Sequence, residues 1–165
     1  GFLSDVDNYI EKPNNDDYFQ NYDKYRFQGF EVTAETRFVE RLMLRLGYTF
    51  MDTEDNSPNS QKDELQYRPR HKLTLEGKYT FYFDFSVYGN VIYTADQVYY
   101  SRSEPFEKAE LDNFAIVNLK LNQRLFNGFL DVYLGADNLF DKNYEESYGF
   151  PASGRIVYGG VAVNF

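Results

Sequence analysis

Cysteine and tryptophan are absent from this 165-residue chain, and histidine occurs once. Without cysteine there is no disulfide framework and no thiolate metal site. The lone imidazole, His71, has no second histidine to share a metal, so no metal site is expected. No nucleophile motif or glycine-rich phosphate loop is present either, and the chain reads as a non-enzyme that needs no cofactor. Basic residues are also in short supply: 17 Lys and Arg stand against 26 Asp and Glu, a formal charge of −9. That excludes a nucleic-acid partner, which requires a basic stripe. Long apolar runs are missing too. Phe114-Ala115-Ile116-Val117 is typical of the longest, far below the ~20 residues of a spanning helix. Spanning β-strands escape that test, because their lipid-facing and lumen-facing residues alternate.

What the chain does have is aromatic residues, 16 Phe and 16 Tyr, and a period of two. Phe30, Val32, Ala34 and Thr36 alternate with Glu31, Thr33, Glu35 and Arg37. The same alternation recurs in Leu42–Phe50, Leu73–Tyr79, Phe85–Tyr93, Ala115–Leu121, Leu130–Ala136 and Val157–Phe165, with a weaker segment at Phe2–Glu11. This predicts eight antiparallel strands in up-and-down order. Their apolar faces carry no charge, and their polar faces mix both signs. Connections alternate in length. Short links fall at Val39-Glu40-Arg41, at Tyr82 and at Asn127-Gly128, the last a preferred two-residue hairpin turn. Long polar links fall at 12–23, 52–66, 101–112 and 142–153. Tight turns at one end and long loops at the other are the habit of an outer-membrane barrel, which would put both termini on the periplasmic side. Tyr48, Phe50, Tyr79, Phe81, Phe83 and Tyr93 lie near the ends of the apolar faces, where rings would meet a membrane interface. The final apolar series Val161, Val163, Phe165 has the form of an outer-membrane assembly signal.

Alternation alone leaves three architectures open: part of a large outer-membrane barrel, a self-standing eight-stranded barrel with a structural or adhesion role, and a soluble β-barrel that binds small apolar ligands. The chain begins at Gly1 without a methionine or secretory signal, as expected of a processed product or a fragment.

The most specific residues lie near the end. Asp137-Asn138-Leu139-Phe140-Asp141-Lys142-Asn143-Tyr144 resembles the NLFDKxY motif of TonB-dependent receptors, and Gly149-Phe150-Pro151-Ala152-Ser153-Gly154-Arg155 resembles their GxPxPGR segment, with Ser153 where proline is common. Upstream, Arg68-Pro69-Arg70-His71-Lys72, Asp5-Val6-Asp7-Asn8-Tyr9-Ile10 and Phe27-Gln28-Gly29-Phe30-Glu31 also match that family. The resemblance implies an all-β transmembrane barrel of which residues 1–165 form the last eight strands of 22, without the plug domain. It implies a bacterial outer-membrane location and energised uptake of a scarce ligand such as a ferric siderophore, haem or cobalamin. The partners implied are membrane lipid and lipopolysaccharide, the barrel-assembly machinery, TonB through a missing N-terminal part, and the small-molecule ligand. Binding residues concentrate on loops held by a rigid scaffold. The aromatics in or beside the long loops, Tyr18, Phe19, Tyr22, Tyr99, Tyr100, Phe106, Tyr144 and Tyr148, are therefore the candidate ligand contacts. Asn138 and Asp141 are expected to bond local backbone as scaffold, and Asp52-Thr53-Glu54-Asp55-Asn56 to form a solvated acidic loop.

Overall fold

Alternating strands with turn residues between them give a single antiparallel meander, and the computed structural model shows it over residues 1–11, 18–37, 39–57, 60–102, 105 and 107–164. The strands are β1 (Phe2–Glu11), β2 (Gln20–Thr36), β3 (Leu42–Asp55), β4 (His71–Thr80), β5 (Phe85–Ala95), β6 (Gln97–Tyr100), β7 (Lys108–Leu111), β8 (Phe114–Leu125), β9 (Leu130–Asp137), β10 (Glu145–Ser147), β11 (Phe150–Pro151) and β12 (Ile156–Val163). Eight of them form one sheet in the order β1-β2-β3-β4-β5-β8-β9-β12. The two small hairpins, β6–β7 and β10–β11, extend two of the long loops. No helix among the described residues is long and apolar enough to cross a membrane.

Register carries the apolar face across the sheet without a break. Ala34 pairs with Leu46, Leu46 with Leu75, Leu75 with Val91, and Val91 with Val117. Leu121 then pairs with Leu134, and Val132 with Val161. This face is the open one. On β4 Leu73 and Leu75 are exposed while Thr74 and Glu76 are half-buried. On β9 Val132 and Leu134 are exposed while Asp131 and Tyr133 are half-buried and Gly135 is buried. Val32, Leu44 and Val161 are exposed as well, and Val87 and Leu119 half so. Curving a sheet towards closure spreads side chains on the convex face and crowds them on the concave one, so the apolar face is the convex one.

Rings bound the apolar band at both ends. Phe30, Tyr48, Phe50 and His71 contact one another at centroid separations of 5.4–6.1 Å towards the long loops. Tyr79, Phe81, Phe83 and Phe85 do so at 4.7–5.9 Å towards the short ones. Beside the second group the Arg41 guanidinium lies 3.9 Å from the Tyr82 ring centre. From His71 to Tyr79 the strand rises ~27 Å. At the ~40° tilt of a membrane barrel that is ~20 Å, comparable with the apolar band of ~25 Å such barrels present.

Above the upper rings the faces exchange chemistry. On the convex side Arg26 Nε donates to Asp5 Oδ1 at 2.8 Å and its guanidinium lies 3.9 Å from Glu54, while Gln28 donates to Asp52 at 3.1 Å. The guanidinium of Arg26 holds the Asp5 carboxyl below the usual carboxylate range. On the concave side Tyr25, Thr53, Thr94, Phe114 and Ile116 are buried. The stretch from Asp52 to Asp55, expected in a loop, continues β3, because register with Tyr25–Gln28 gives its backbone partners.

A second correction concerns the Asn127-Gly128 turn. Pairing ends at Leu125–Leu130, so the link is the four residues Phe126–Phe129, with Phe126, Asn127 and Gly128 all at positive φ. Gly128, at φ +91°, occupies a conformation that side chains disfavour. Opening the pair one residue early lets Phe126 and Phe129 point into the surroundings, where both are exposed.

The last hairpin, β9–β12, has a reciprocal joint on its concave face. Tyr133 pairs with Gly160 and Tyr158 with Gly135. Each ring lies over the opposing glycine: a Cβ on Gly135 would come within 2.4 Å of the Tyr158 ring, and one on Gly160 within 2.5 Å of the Tyr133 hydroxyl.

Candidate functional site

The long-loop end is held by two polar networks, and between them lie the cavities. The first network fixes the closing motif. Asn138 takes φ +48°, which asparagine tolerates, and is 4% exposed. Its backbone N–H donates to Asn118 Oδ1 at 2.8 Å, its Nδ2 donates to the Lys142 carbonyl at 2.9 Å, and its Oδ1 accepts from the Lys142 N–H at 2.9 Å. Asn118 in turn donates to Asn90 Oδ1 at 2.8 Å, tying the motif to β5. Asp141 Oδ1 accepts the Arg155 N–H at 2.8 Å. Asn138 and Asp141 are thus scaffold, as expected of them.

The second network fixes the 57–70 loop against the β6–β7 hairpin. Tyr100, 3% exposed, donates its hydroxyl to Asp63 Oδ1 at 2.5 Å and accepts from the Asp63 and Glu64 N–H groups at 3.3 and 3.2 Å. Lys108 Nζ lies 2.9 Å from Asp63 Oδ2 and also contacts Glu64, and Arg70 bridges Glu64 and Asp52. Burial, then the bond to Asp63, pushes the Tyr100 hydroxyl up to about 12. Burial works against the Lys108 charge, yet its bonds to Glu64 and Asp63 outweigh that and hold the ammonium above the usual lysine range. The Tyr100 and Lys108 hydrogen bonds hold Asp63 below the usual carboxylate range.

A single stack joins the two parts. Tyr99 on β6 and Tyr148, in the turn between β10 and β11, lie nearly parallel with centroids 4.2 Å apart. Gln97 Nε2 donates to the Glu146 carbonyl at 2.6 Å beside them. Burial raises the Tyr99 hydroxyl above its ordinary range, and the Tyr148 hydroxyl adds to it. Gly149 takes φ +79° to close the Tyr148 turn. Behind the stack the Phe114 and Tyr144 rings pack at 4.5 Å.

On one side of the stack a cavity of about 400 Å³ is lined by Leu111, Phe114, Tyr144 and Pro151, with Glu110, Asp112, Glu145 and Lys142 at its rim. On the other side a cavity of about 600 Å³ is lined by Tyr67, Tyr100 and Phe150 together with Arg102. Both volumes fall in the range of small-molecule sites.

Of the candidate contacts, the structure brings Tyr99, Tyr100, Tyr144 and Tyr148 together here. Tyr18 and Phe19 line neither cavity; they are exposed just ahead of β2. Tyr22 pairs with Tyr9 in β2, and its side chain lies outside the described residues, as does all of Phe106. Val161 and Val163 stand on the convex face of β12, and Phe165 lies outside the described residues. Tyr67, Phe114, Phe150 and Arg102 were not anticipated. Tyr67 immediately precedes the family-like segment Arg68–Lys72, and Phe150 lies within the segment Gly149–Arg155.

His71 is partnered within the wall: Tyr48 Oη lies 2.7 Å from Nδ1, and Asp96 Oδ2 lies 3.4 Å from Nε2. Among the described residues no group of His, Cys, Asp and Glu could hold a metal ion.

Comparison with known proteins bears on these features. The model of the family described as TonB-dependent receptor-like, β-barrel, matches residues 1–139. The catecholate siderophore receptor Fiu of Escherichia coli K12 is 29% identical over 150 residues, covering 88% of this chain and 20% of that protein. The ferric-pyoverdine receptor PbuA of Pseudomonas sp. M114 is 29% identical over 147 residues, covering 84% of this chain and 17% of the other. The chain therefore spans about a fifth of the length of the curated relatives it matches. The crystal structure of the ferripyoverdine receptor of Pseudomonas aeruginosa superimposes with a TM-score of 0.74 at 21% identity, over 97% of this chain and 23% of that one, which shows the same fold.

Proposed function

The chain belongs to the TonB-dependent receptor-like β-barrel family, and on that premise we propose that residues 1–165 are the C-terminal wall and loop crown of a bacterial outer-membrane receptor that imports a ferric siderophore. The observation that carries the reading is the pair of aromatic cavities built on loops at one end of a sheet whose exposed face is its apolar one. The apolar band supports lipid contact, and the charged convex surface above it supports contact with lipopolysaccharide headgroups. In this reading Tyr99, Tyr100, Tyr144 and Tyr148 contact the ligand. Val161, Val163 and Phe165 are read by the barrel-assembly machinery. The plug, the other strands of a 22-stranded barrel and the TonB-contacting segment belong to the rest of the parent chain.

The test uses the full-length parent, expressed in cells lacking their own siderophore receptors. Under iron starvation it is expected to restore uptake of radiolabelled iron from at least one ferric siderophore, and uptake is expected to vanish when TonB is deleted. Full surface expression without uptake of any ferric chelate would overturn the reading.

A further inference from the structure

Three arginines at the short-turn end of the sheet are used in two different ways. Arg37 lies 2.9 Å from Glu35 and Arg124 3.5 Å from Asp131, so both engage carboxylates of the concave face. Arg41 instead stands over the Tyr82 ring at 3.9 Å and donates from Nη1 to the Phe81 carbonyl at 3.2 Å, beside the Tyr79–Phe85 rings that bound the apolar band. Its backbone takes φ +68°, where glycine or asparagine is the usual occupant. The turn alone does not call for arginine, so the residue is held for its side chain. The facing turn is tied down on both sides: the Thr80 N–H donates to the Arg41 carbonyl at 2.9 Å, and Gln123 Nε2 donates to the Phe83 carbonyl at 2.9 Å. The Arg124 N–H donates to the Asp84 carbonyl at 3.1 Å. Tyr82 is 78% exposed, so its ring fills no core. It is a fixed platform on which the guanidinium keeps its charge and, of five N–H donors, has spent one on Phe81.

We propose that the Arg41–Tyr82 pair is a headgroup site for one zwitterionic glycerophospholipid, a phosphatidylethanolamine, whose phosphate the guanidinium binds. Three observations select this occupant. A guanidinium held by a ring matches a phosphate through two parallel N–H bonds. The site is continuous with the lipid-facing band: Phe83, 64% exposed, adjoins it and offers an acyl chain a surface at the band's edge. The two facing turns, Val39–Arg41 and Phe81–Asp84, carry one positive charge, Arg41, against two exposed carboxylates, Glu40 and Asp84. Phe38, outside the described residues, is uncharged. A purely anionic headgroup therefore meets repulsion there, whereas the ammonium of a zwitterion supplies the charge that those carboxylates attract.

This site rests on the reading that the short turns face the periplasm, on the phospholipid leaflet, and is independent of the ligand imported. The full-length parent, purified in detergent and stripped of lipid, is titrated with short-chain phosphatidylethanolamine, phosphatidylglycerol, lipid A and inorganic phosphate, and bound molecules are resolved by native mass spectrometry. The tightest adduct of the wild type is expected to be a single phosphatidylethanolamine. Arg41→Asn, chosen because asparagine tolerates the positive φ, is expected to weaken that adduct about fivefold, the scale of one basic residue at a lipid surface. Tyr82→Ala should weaken it by a smaller factor, and Arg124→Gln should leave it unchanged. In detergent without lipid, the urea midpoint of Arg41→Asn should equal or exceed that of wild type. A lower midpoint accompanying the lost adduct would mean that the arginine only holds the turn, and would overturn the proposal. So would an Arg41-dependent site that prefers phosphatidylglycerol or lipid A, one filled equally well by inorganic phosphate, or an Arg41→Asn protein that carries phosphatidylethanolamine like wild type. None of these results touches siderophore import, which the iron-uptake experiment tests by itself.

Discussion

The wall and the crown of this protein share strands such as β2 and β3 but are held by opposite arrangements. In the wall, apolar side chains such as Val32, Leu46, Leu75 and Leu134 are exposed, and the charged ones share the concave face, as where Arg45 pairs with Glu35. In the crown, the apolar residues Tyr25, Leu65, Val98, Tyr100, Phe114 and Ile116 are buried, and charges such as Arg26 and Asp5 lie outside. The crossover occurs within single strands: β2 and β3 keep their register while their two faces exchange character above Phe30 and Phe50. The crown obeys the rule of water-soluble proteins, and the wall obeys that of a chain dissolved in hydrocarbon. The solvent changes partway along a strand, and the sequence changes with it.

The strongest way to break this comparison is to place a charge in the wall. Leu75→Arg, on the convex face at mid-band, is expected to cost about 2–4 kcal/mol of folding free energy in lipid vesicles, whereas its neighbour Thr74→Arg, on the concave face, should cost markedly less. Equal losses, measured by urea unfolding in vesicles, would mean that the faces are wrongly assigned. A smaller effect is expected where wall meets crown. Asn138→Ala removes a buried side chain bonded to both backbone groups of Lys142 and should cost about 2 kcal/mol, with faster proteolysis of the 139–155 segment as the readout. Smallest is the effect within the crown. Tyr100→Phe should cost about 1 kcal/mol. It should also abolish a late step near pH 12 in the tyrosinate absorbance titration of the folded protein. Both Tyr100 and Lys108 have folded values raised above their unfolded ones, so the stability they lend is complete below about pH 10 and declines as pH rises from there. Asp63 is displaced the other way, so its share persists above about pH 4 and is lost below. A crown whose protease resistance did not fall between pH 10 and 12 would show that this network is not what holds it.

The wall was legible because alternation is a local signal: Leu73, Leu75, Gly77 and Tyr79 declare one face without reference to any distant residue. So was the closing motif, whose Asn138 and Asp141 act on backbone a few residues away. The crown was not. Gln97–Tyr100 and Lys108–Leu111 are too short to show a period, and the kink that starts them is a positive φ at Asp96. The stack of Tyr99 on Tyr148 joins residues with four other strands' worth of chain between them, and nothing in either neighbourhood distinguishes these tyrosines from Tyr18. The Asn127-Gly128 dipeptide was a sound turn signal that gave the wrong loop length, because pairing stops at Leu125–Leu130 and leaves Phe126 and Phe129 in the link, both exposed.

The two tyrosines of the final hairpin bear on how such a wall can close correctly. Alternation forbids a slip of one residue, which would turn the apolar face inward, but is indifferent to a slip of two. The Tyr133–Gly160 and Tyr158–Gly135 joint removes that degeneracy. Shifted two residues one way, Tyr133 faces Tyr158 and the rings compete for the same space; shifted the other, Tyr133 meets the methyl group of Ala162. The hairpin therefore behaves as a keyed coupling: only the observed register seats both rings on glycines.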